Sequence, residues 1–508
     1  MVQAEDLHST PGENMELLKI LHRIRNSTGP AGTVGLDDKT ILFHIEKDPV
    51  LGEAIEEAEE SFRGLASRLN GLLELPEDEV CQQLQKDILN FYPDNQINPY
   101  VALAAKGPWV ITLHGAVLHD SGGYGMLGFG HDPDQIVNAM YERHVMANVM
   151  TPSLYHKALT ERLRKAIGHK RGGGCPYDKF LFVNSGSESV TVALRLSDIN
   201  SRIRTDKDGS HAGQKILTLA LKGGFHGRTD RPSHASDSTR KAYQVLATFR
   251  DQDDLLTVEP NDVKGLQAAF DQAKKDKVFI EAMLMEPVMG EGSPGTAVTP
   301  EFYGLARKLT RENGALLIVD SIQAGLRGTG HLSIVDYPGF TGLDAPDMET
   351  YSKALNAGQF PMSVLAMTTE TAALYVKGVY GNTMTANPRA MAVACAVLDA
   401  VTPEVRSNIR EKGAEILKRF GELQKKYPDV VTGVSGTGLL CALHLKPEGY
   451  AVVGEEGVER WMRLHGIGVI HGGKNALRFT PHFRITSDEI DLIVECIDAA
   501  ISRGPVYR

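Results

Sequence analysis

The spacing of apolar positions changes twice along the chain. In the first hundred residues, stretches such as DPVLGEAIEEAEESFRGLASRLNGLLEL repeat apolar residues at three- and four-residue steps in an acidic background, which predicts amphipathic helices. PEDEVCQQLQKDILNFY continues in the same style, with Pro76 placed for a first helical turn. From Pro108 the period shortens. WVITLHGAVLHD alternates and is rich in β-branched residues, and the glycine-rich turn SGGYGMLGFGHDP leads into the helical DQIVNAMYERHVM. KFLFVNSG, KILTLALKGG, FIEAMLMEP and ALLIVDS then form apolar runs that end in small or polar residues, each followed by helical or loop sequence. Such alternation predicts an α/β domain with a mostly parallel sheet. After about residue 395, the helix VRSNIREKGAEILKRFGELQKKY, the segments VVTGVSGTGLLCALHL and GVERWMRLHGIGVI, and the helix TSDEIDLIVECIDAAISR predict a smaller α+β domain. KRGGGCP, at 170–176, reads as a surface connection.

Composition narrows the picture mainly by exclusion. A chain of 508 residues, 42% hydrophobic, has material for a large core and a second domain. Its net charge of -10 offers no general attraction for nucleic acid or anionic lipid, so a phosphate group must be held locally. Five scattered cysteines without CxxC spacing suggest neither a disulfide framework nor a zinc site. His114, His131 and His226 form no short-range ligand set, and no metal is expected. No stretch reaches the roughly 18 apolar residues of a membrane span. The N-terminus lacks a leader pattern, and Glu5, Asp6, Glu13 and Glu16 are acidic where transit peptides are Arg-rich. A soluble, cytoplasmic protein is expected.

In an α/β sheet, ligands bind at the carboxyl ends of the strands. One strand end carries NSGSES, whose small residues open a helix and suit a phosphate, although an ordinary Ser cap has the same pattern. Two others carry Glu286 and Asp320, carboxylates that need a cationic or N–H partner if buried; a structural salt bridge is the plain alternative. Lys353 follows Asp320 with room for one crossover. A buried lysine with a depressed pKa becomes an amine nucleophile, whereas most lysines are solvated surface residues. GLRGTG, 325–330, lacks the GK[ST] ending of a nucleotide loop.

Seven segments, NSGSES, GGFHGRT, EPVMGEG, IVDSIQAGLRGTG, YSKALNAG, NTMTANP and RFTPHF, stand in the order found in the class III pyridoxal-phosphate aminotransferases, the family of ornithine, 4-aminobutyrate and lysine ε-aminotransferases. From about residue 108 to the C-terminus the chain resembles that family. The resemblance implies a fold-type I architecture with a mostly parallel seven-stranded sheet. Residues 1–107 would be a helical extension, 108–150 the N-terminal part of the small domain, 151–394 the large cofactor-binding domain and 395–508 the C-terminal small domain.

By the same resemblance, Lys353 is the Schiff-base lysine of pyridoxal 5'-phosphate and the proton shuttle, and Asp320 the carboxylate that keeps the pyridine nitrogen protonated. Gly186 and Ser187 hold the phosphate, Phe225 lies against the ring, and Gln323 sits near the phenolic oxygen. Thr383 reaches the phosphate from a neighbouring subunit, implying a homodimer with shared active sites. Arg228 matches the arginine for the distal carboxylate of an ω-amino acid, and Arg478 the one for the α-carboxylate of glutamate or 2-oxoglutarate. Glu291 matches the glutamate that covers Arg478 when the donor has no carboxylate at its reacting carbon. The implied reaction moves the terminal amine of an ω-amino acid to 2-oxoglutarate, giving a semialdehyde and glutamate. Another class III reaction, such as an aminomutase or decarboxylating transaminase, and a non-catalytic scaffold are the alternatives. One position departs from the family: Ser321 replaces the glutamate that usually follows the aspartate, so any support from that carboxylate must come from elsewhere. Tyr124 could face the substrate, a packed core tyrosine being the plainer reading.

Overall fold

The computed structural model describes residues 11–506 except 67, 123, 147, 251 and 252; Glu5 and Asp6 lie outside the described residues. Helices cover Pro11–Asn26, Asp38–Lys47, Pro49–Ala66, Asn70–Leu73 and Glu77–Gln85. Their apolar stripe is real: Leu51, Ala54, Ile55 and Ala58 are fully buried, and Asp48 accepts the Trp109 indole N–H at 2.7 Å, fastening the helices to the first sheet. Pro76 stands one residue before its helix, as the N-cap, and not in the first turn. The helix predicted through Tyr92 stops at Gln85. Beyond it Ile88 and Leu89 are exposed, so no core rewards further turns, while Phe91 and Tyr92 turn toward the site described below.

Among the described residues, fifteen strands form three sheets. β1 (Ala102–Lys106), β2 (Trp109–Thr112) and β3 (Val117–Asp120) make an antiparallel meander that β13 (Ile467–Gly468) extends in parallel beside β3. The second sheet contains β4 (Lys179–Val183), β5 (Lys215–Leu221), β6 (Leu255–Val258), β7 (Val278–Met285), β8 (Leu316–Asp320), β9 (Met348–Tyr351) and β10 (Ser363–Met367), in the order β4-β10-β9-β8-β7-β5-β6. The third, antiparallel sheet is made of β11 (Val431–Thr437), β12 (Leu440–Leu445), β14 (Ile470–Gly472) and β15 (Ala476–Phe479).

The seven-stranded sheet is parallel except for β10, which runs against both neighbours. The segment 352–362 that joins β9 to β10 holds only the 3-10 turn Lys353–Asn356 and no crossover helix to return the chain in parallel. β7, β8, β9 and β10 are buried on both faces; β8 and β10, and β7 apart from Glu281, read as apolar runs for that reason, whereas β9 buries the polar Glu349 and Thr350. The carboxyl ends of β4, β5, β7, β8 and β9 consequently lie along one edge, and the candidate residues that line the cavity follow them. Among the described residues no helix is long and apolar enough to cross a membrane.

A buried polar knot joins the first sheet to the last helix, Ser487–Ser502. Glu489 caps that helix, one oxygen accepting from the Thr486 N–H and hydroxyl, while the other meets His119 at 3.0 Å and His482 at 2.8 Å. Burial alone would push the Glu489 pKa up, but His482 and His119 overcome it and hold the carboxyl well below its ordinary 4.5. Because the folded value is the lower one, this stabilisation is complete above pH 4.5 and is lost as pH falls through the depressed value. Glu489→Gln is therefore expected to destabilise the fold by about 3 kcal/mol at neutral pH, with the gap to wild type closing only in strong acid. Denaturant unfolding across pH measures it.

Candidate active site

Six residues proposed from the sequence, Gly186, Ser187, Phe225, Asp320, Gln323 and Lys353, line one cavity at the carboxyl edge of the large sheet, an empty space of about 530 Å³ including its mouth. His226, Gly227, Glu286, Ile322 and Ser352 complete the wall.

Gly186 and Ser187 open the helix Gly186–Thr205, capped by the Ser185 side chain. N–H groups in a first turn have no intrahelical acceptor, and the helix dipole adds positive potential. The Ser187 hydroxyl accepts the Arg228 N–H at 2.8 Å. Gly227 permits this approach: its φ is +119°, and a Cβ there would stand 2.1 Å from Ser187 Oγ.

Asp320 ends β8 with 3% of its surface exposed. One oxygen accepts from the Ile322 N–H at 3.1 Å and the Thr350 hydroxyl at 3.3 Å; the other faces His226 Nδ1 at 3.0 Å. The partner that a buried carboxylate requires is thus His226, whose Nε2 has no partner among the described residues. Sequence reading missed it. Its signal was its place in GGFHGRT between Phe225 and Arg228, but it was weighed there only as a metal ligand.

Glu286, just past β7, resolves the choice between cation and N–H in favour of the latter: it accepts from Phe225 N at 3.0 Å and Gly290 N at 2.9 Å. Burial pushes its pKa up to about 7, so its charge is marginal near neutrality. Gly290 also leaves room for Gln323, whose Oε1 would be 1.4 Å from any Cβ there. Gln323 is buried and its amide Nε2 has no protein partner among the described residues. An inward-facing, unspent donor of this kind fits a bound polar group.

Lys353 begins the short 3-10 turn after β9, with φ at +43°, a conformation a non-glycine residue keeps only when its surroundings impose it. Burial lowers its pKa to about 8; Arg478 lowers it too, opposed by Glu291, Glu286 and Asp320. A substantial fraction is therefore neutral amine near physiological pH.

Arg478 on β15 is 1% exposed and donates to Glu291 at 2.8 Å. Burial would raise the Glu291 pKa, but the guanidinium outweighs it and holds the carboxyl low. Tyr124 lies under that guanidinium, 5.9 Å from ring centroid to Cζ, and beside Tyr92, so it faces this pair as well as packing. Arg228 is exposed at the mouth, with Phe91 and Phe225 rings 4.9 Å and 5.4 Å from its Cζ. Arg228, Glu291, Arg478 and Thr383 do not themselves line the cavity; Arg228 adjoins it through Ser187 and Phe225, and Arg478 through Glu291 and Gly290, whereas Thr383 is exposed.

A lysine, a buried carboxylate and a helix N-terminus converging at the edge of this sheet define the chain as a fold-type I pyridoxal-phosphate enzyme. The sequence matches the aminotransferase class-III family over residues 91–501, and the chain belongs to that family; it is a pyridoxal-phosphate-dependent transaminase. Solved structures agree on the fold. Ornithine aminotransferase from Toxoplasma gondii ME49 superposes with a TM-score of 0.72 at 22% identity, covering 87% of this chain and 99% of its own. Acetylornithine aminotransferase from Elizabethkingia anophelis gives 0.67 at 22% identity, covering 84% and 100%. An S-selective transaminase from Bacillus megaterium gives 0.70 at 19% identity, covering 84% and 98%.

Proposed function

We propose that the enzyme transfers the terminal amine of an ω-amino acid, of the lysine, ornithine or 4-aminobutyrate type, to 2-oxoglutarate, producing a semialdehyde and glutamate. The observation that carries this reading is the Arg478–Glu291 pair, close enough to Lys353 for both charges to act on its pKa. Two kinds of substrate must share one pocket. With Glu291 on Arg478 the pocket is neutral and accepts a primary amine carrying no carboxylate at its reacting carbon. With Glu291 displaced, the guanidinium is free to take the carboxylate of an α-amino or 2-oxo acid. Arg228, held between two aromatic rings at the mouth, supplies a second anionic anchor for the far end of the donor.

When bound, pyridoxal phosphate carries the amino group and accepts electron density from the reacting carbon. The first-turn N–H groups of the Gly186 helix and Ser187 would hold its phosphate, Phe225 would cover its ring, and Gln323, whose Nε2 has no partner among the described residues, would donate to its phenolic oxygen. Asp320, oriented by His226, Thr350 and the Ile322 N–H, holds the proton on the pyridine nitrogen. Lys353 would hold the cofactor through Nζ, and its amine, largely desolvated, is the group placed to move the proton at the substrate's reacting carbon. His226→Phe removes a buried bond to a carboxylate. It is expected to weaken cofactor binding about tenfold or more, measured by visible absorbance titration of the cofactor-free chain.

Thr383 is assigned to the phosphate of a partner subunit. Met150, Leu154 and Met384 are exposed apolar residues on segments that flank the helix Pro388–Ala400, as a subunit interface requires. Light scattering should give twice the chain mass.

The test is a panel of L-lysine, L-ornithine, 4-aminobutyrate and α-amino acids, each mixed with the loaded enzyme in a single turnover and then chased with 2-oxoglutarate. An ω-amino donor should bleach the visible band and 2-oxoglutarate restore it. No response to any ω-amino donor, with ready turnover of α-amino acids alone, defeats the proposal.

A further inference from the structure

Ser321 leaves open what secures the strand end that carries Asp320. The answer lies on the neighbouring strand. Glu349, in the middle of β9, is fully buried and collects four donors. Its Oε1 accepts from the Ser321 hydroxyl at 2.5 Å and the Ile334 N–H at 3.0 Å; its Oε2 accepts from the Tyr177 hydroxyl at 2.7 Å and the Ser333 hydroxyl at 2.5 Å. All four are uncharged donors. A carboxylate in the middle of a strand otherwise lined by buried side chains is costly, and only a full set of hydrogen bonds makes it tenable.

We infer that Glu349 is a positioning residue for the cofactor site, stapling both ends of the loop 321–334 to the strand that leads into Lys353. This rests on the roles proposed above for Asp320, Gln323 and Lys353. The loop leaves β8 at Ser321, contributes Ile322 and Gln323 to the cavity, and returns at Ser333 and Ile334. Glu349 Oε1 alone touches its first residue and its last, and Oε2 adds Ser333.

The next residue of β9 holds the same strand end from the other side. Thr350 is paired with Asp320 in the parallel ladder, its hydroxyl donates to Asp320 Oδ1, and its carbonyl accepts the Ser321 N–H at 3.0 Å. Successive strand residues point to opposite faces. Glu349 therefore grips Ser321 beneath the sheet while Thr350 grips Asp320 above it, and Lys353 emerges three residues later. Asp320, Gln323 and Lys353 are referenced to one another through this short stretch of β9. The bond to Ser321 requires a small hydroxyl at 321, which accounts for the departure from the family at that position: the buried carboxylate resides on β9.

Cofactor-free Glu349→Gln, Ser321→Ala and Asp320→Asn chains, titrated with pyridoxal 5'-phosphate and followed by visible absorbance and thermal unfolding, test this. Glu349→Gln turns one acceptor into a donor facing donors, and is expected to weaken cofactor binding about tenfold or more and to displace the pH midpoint of the visible band in the direction Asp320→Asn does. Ser321→Ala, which removes one hydroxyl, should show the same changes at smaller size and decides the matter if Glu349→Gln does not fold. Wild-type affinity and an unmoved band in Ser321→Ala and Glu349→Gln, even with lowered unfolding temperature, overturn the inference and leave Glu349 a purely structural residue. If Asp320→Asn itself leaves affinity and band unchanged, the fault lies in the site assignment and not in Glu349.

Discussion

Replacing Lys353 by alanine is expected to lower kcat by about 10⁴-fold or more, because the amine that links to the cofactor is also the base that moves the proton. The cavity offers no second amine among its lining residues. Borohydride reduction of the loaded wild-type enzyme should fix the cofactor's mass on the peptide containing Lys353, and the alanine variant should bind cofactor only reversibly. Full activity in Lys353→Ala, or a reduced adduct on another lysine, removes the assignment. A pH effect accompanies it. Since the cofactor-free lysine titrates near 8 and not near 10.5, the rate of cofactor capture should climb through pH 8 and then level off. A rate still climbing tenfold per pH unit above 9 contradicts the depressed value.

The second large effect separates the two halves of the reaction. Arg478→Ala removes a buried guanidinium and leaves Glu291 facing the pocket without its partner. The 2-oxoglutarate half-reaction should lose about 100-fold or more in kcat/KM, the range for truncating one side of a buried charged pair. Arg228→Ala, at the exposed mouth, should instead impair the ω-amino donor half by about tenfold, since a solvated charge contributes less. Single-turnover rates for each half, measured on both variants, check the division. Equal losses in both halves for both variants would mean that the arginines do not discriminate donor from acceptor.

How far the sequence led can be judged on particular residues. Asp320, Lys353 and the NSGSES segment stood out at strand ends, while Gln323, Phe225 and the roles of all six residues came from the family resemblance; the fold gathers the six because each lies on or just beyond a strand end or a helix start. The pairing of Arg478 with Glu291 was foreseen from the family resemblance, not from spacing, for 187 residues separate them. The contact of His226 with Asp320 was not foreseen, and Glu349 escaped notice. Each acts through a contact distant in sequence, His226 with Asp320 and Glu349 with Ser321, Ser333 and Tyr177, and nothing in the local pattern marks a polar residue as buried. The helix expected through Tyr92 failed for a related reason: periodicity reports which residues could share a face, but only the fold supplies the surface against which that face is buried.

What the sequence determined alone was the alternation of strands and helices, hence a mostly parallel sheet, and the residue types at its functional edge, because short-range periodicity and turn chemistry are local properties of a chain. The tertiary structure decided which carboxylate meets which donor, why Lys353 titrates near 8, and how a serine at 321 is compensated by a glutamate on the adjacent strand. Those are properties of distance and desolvation, and neither exists until strands far apart in sequence have been brought side by side.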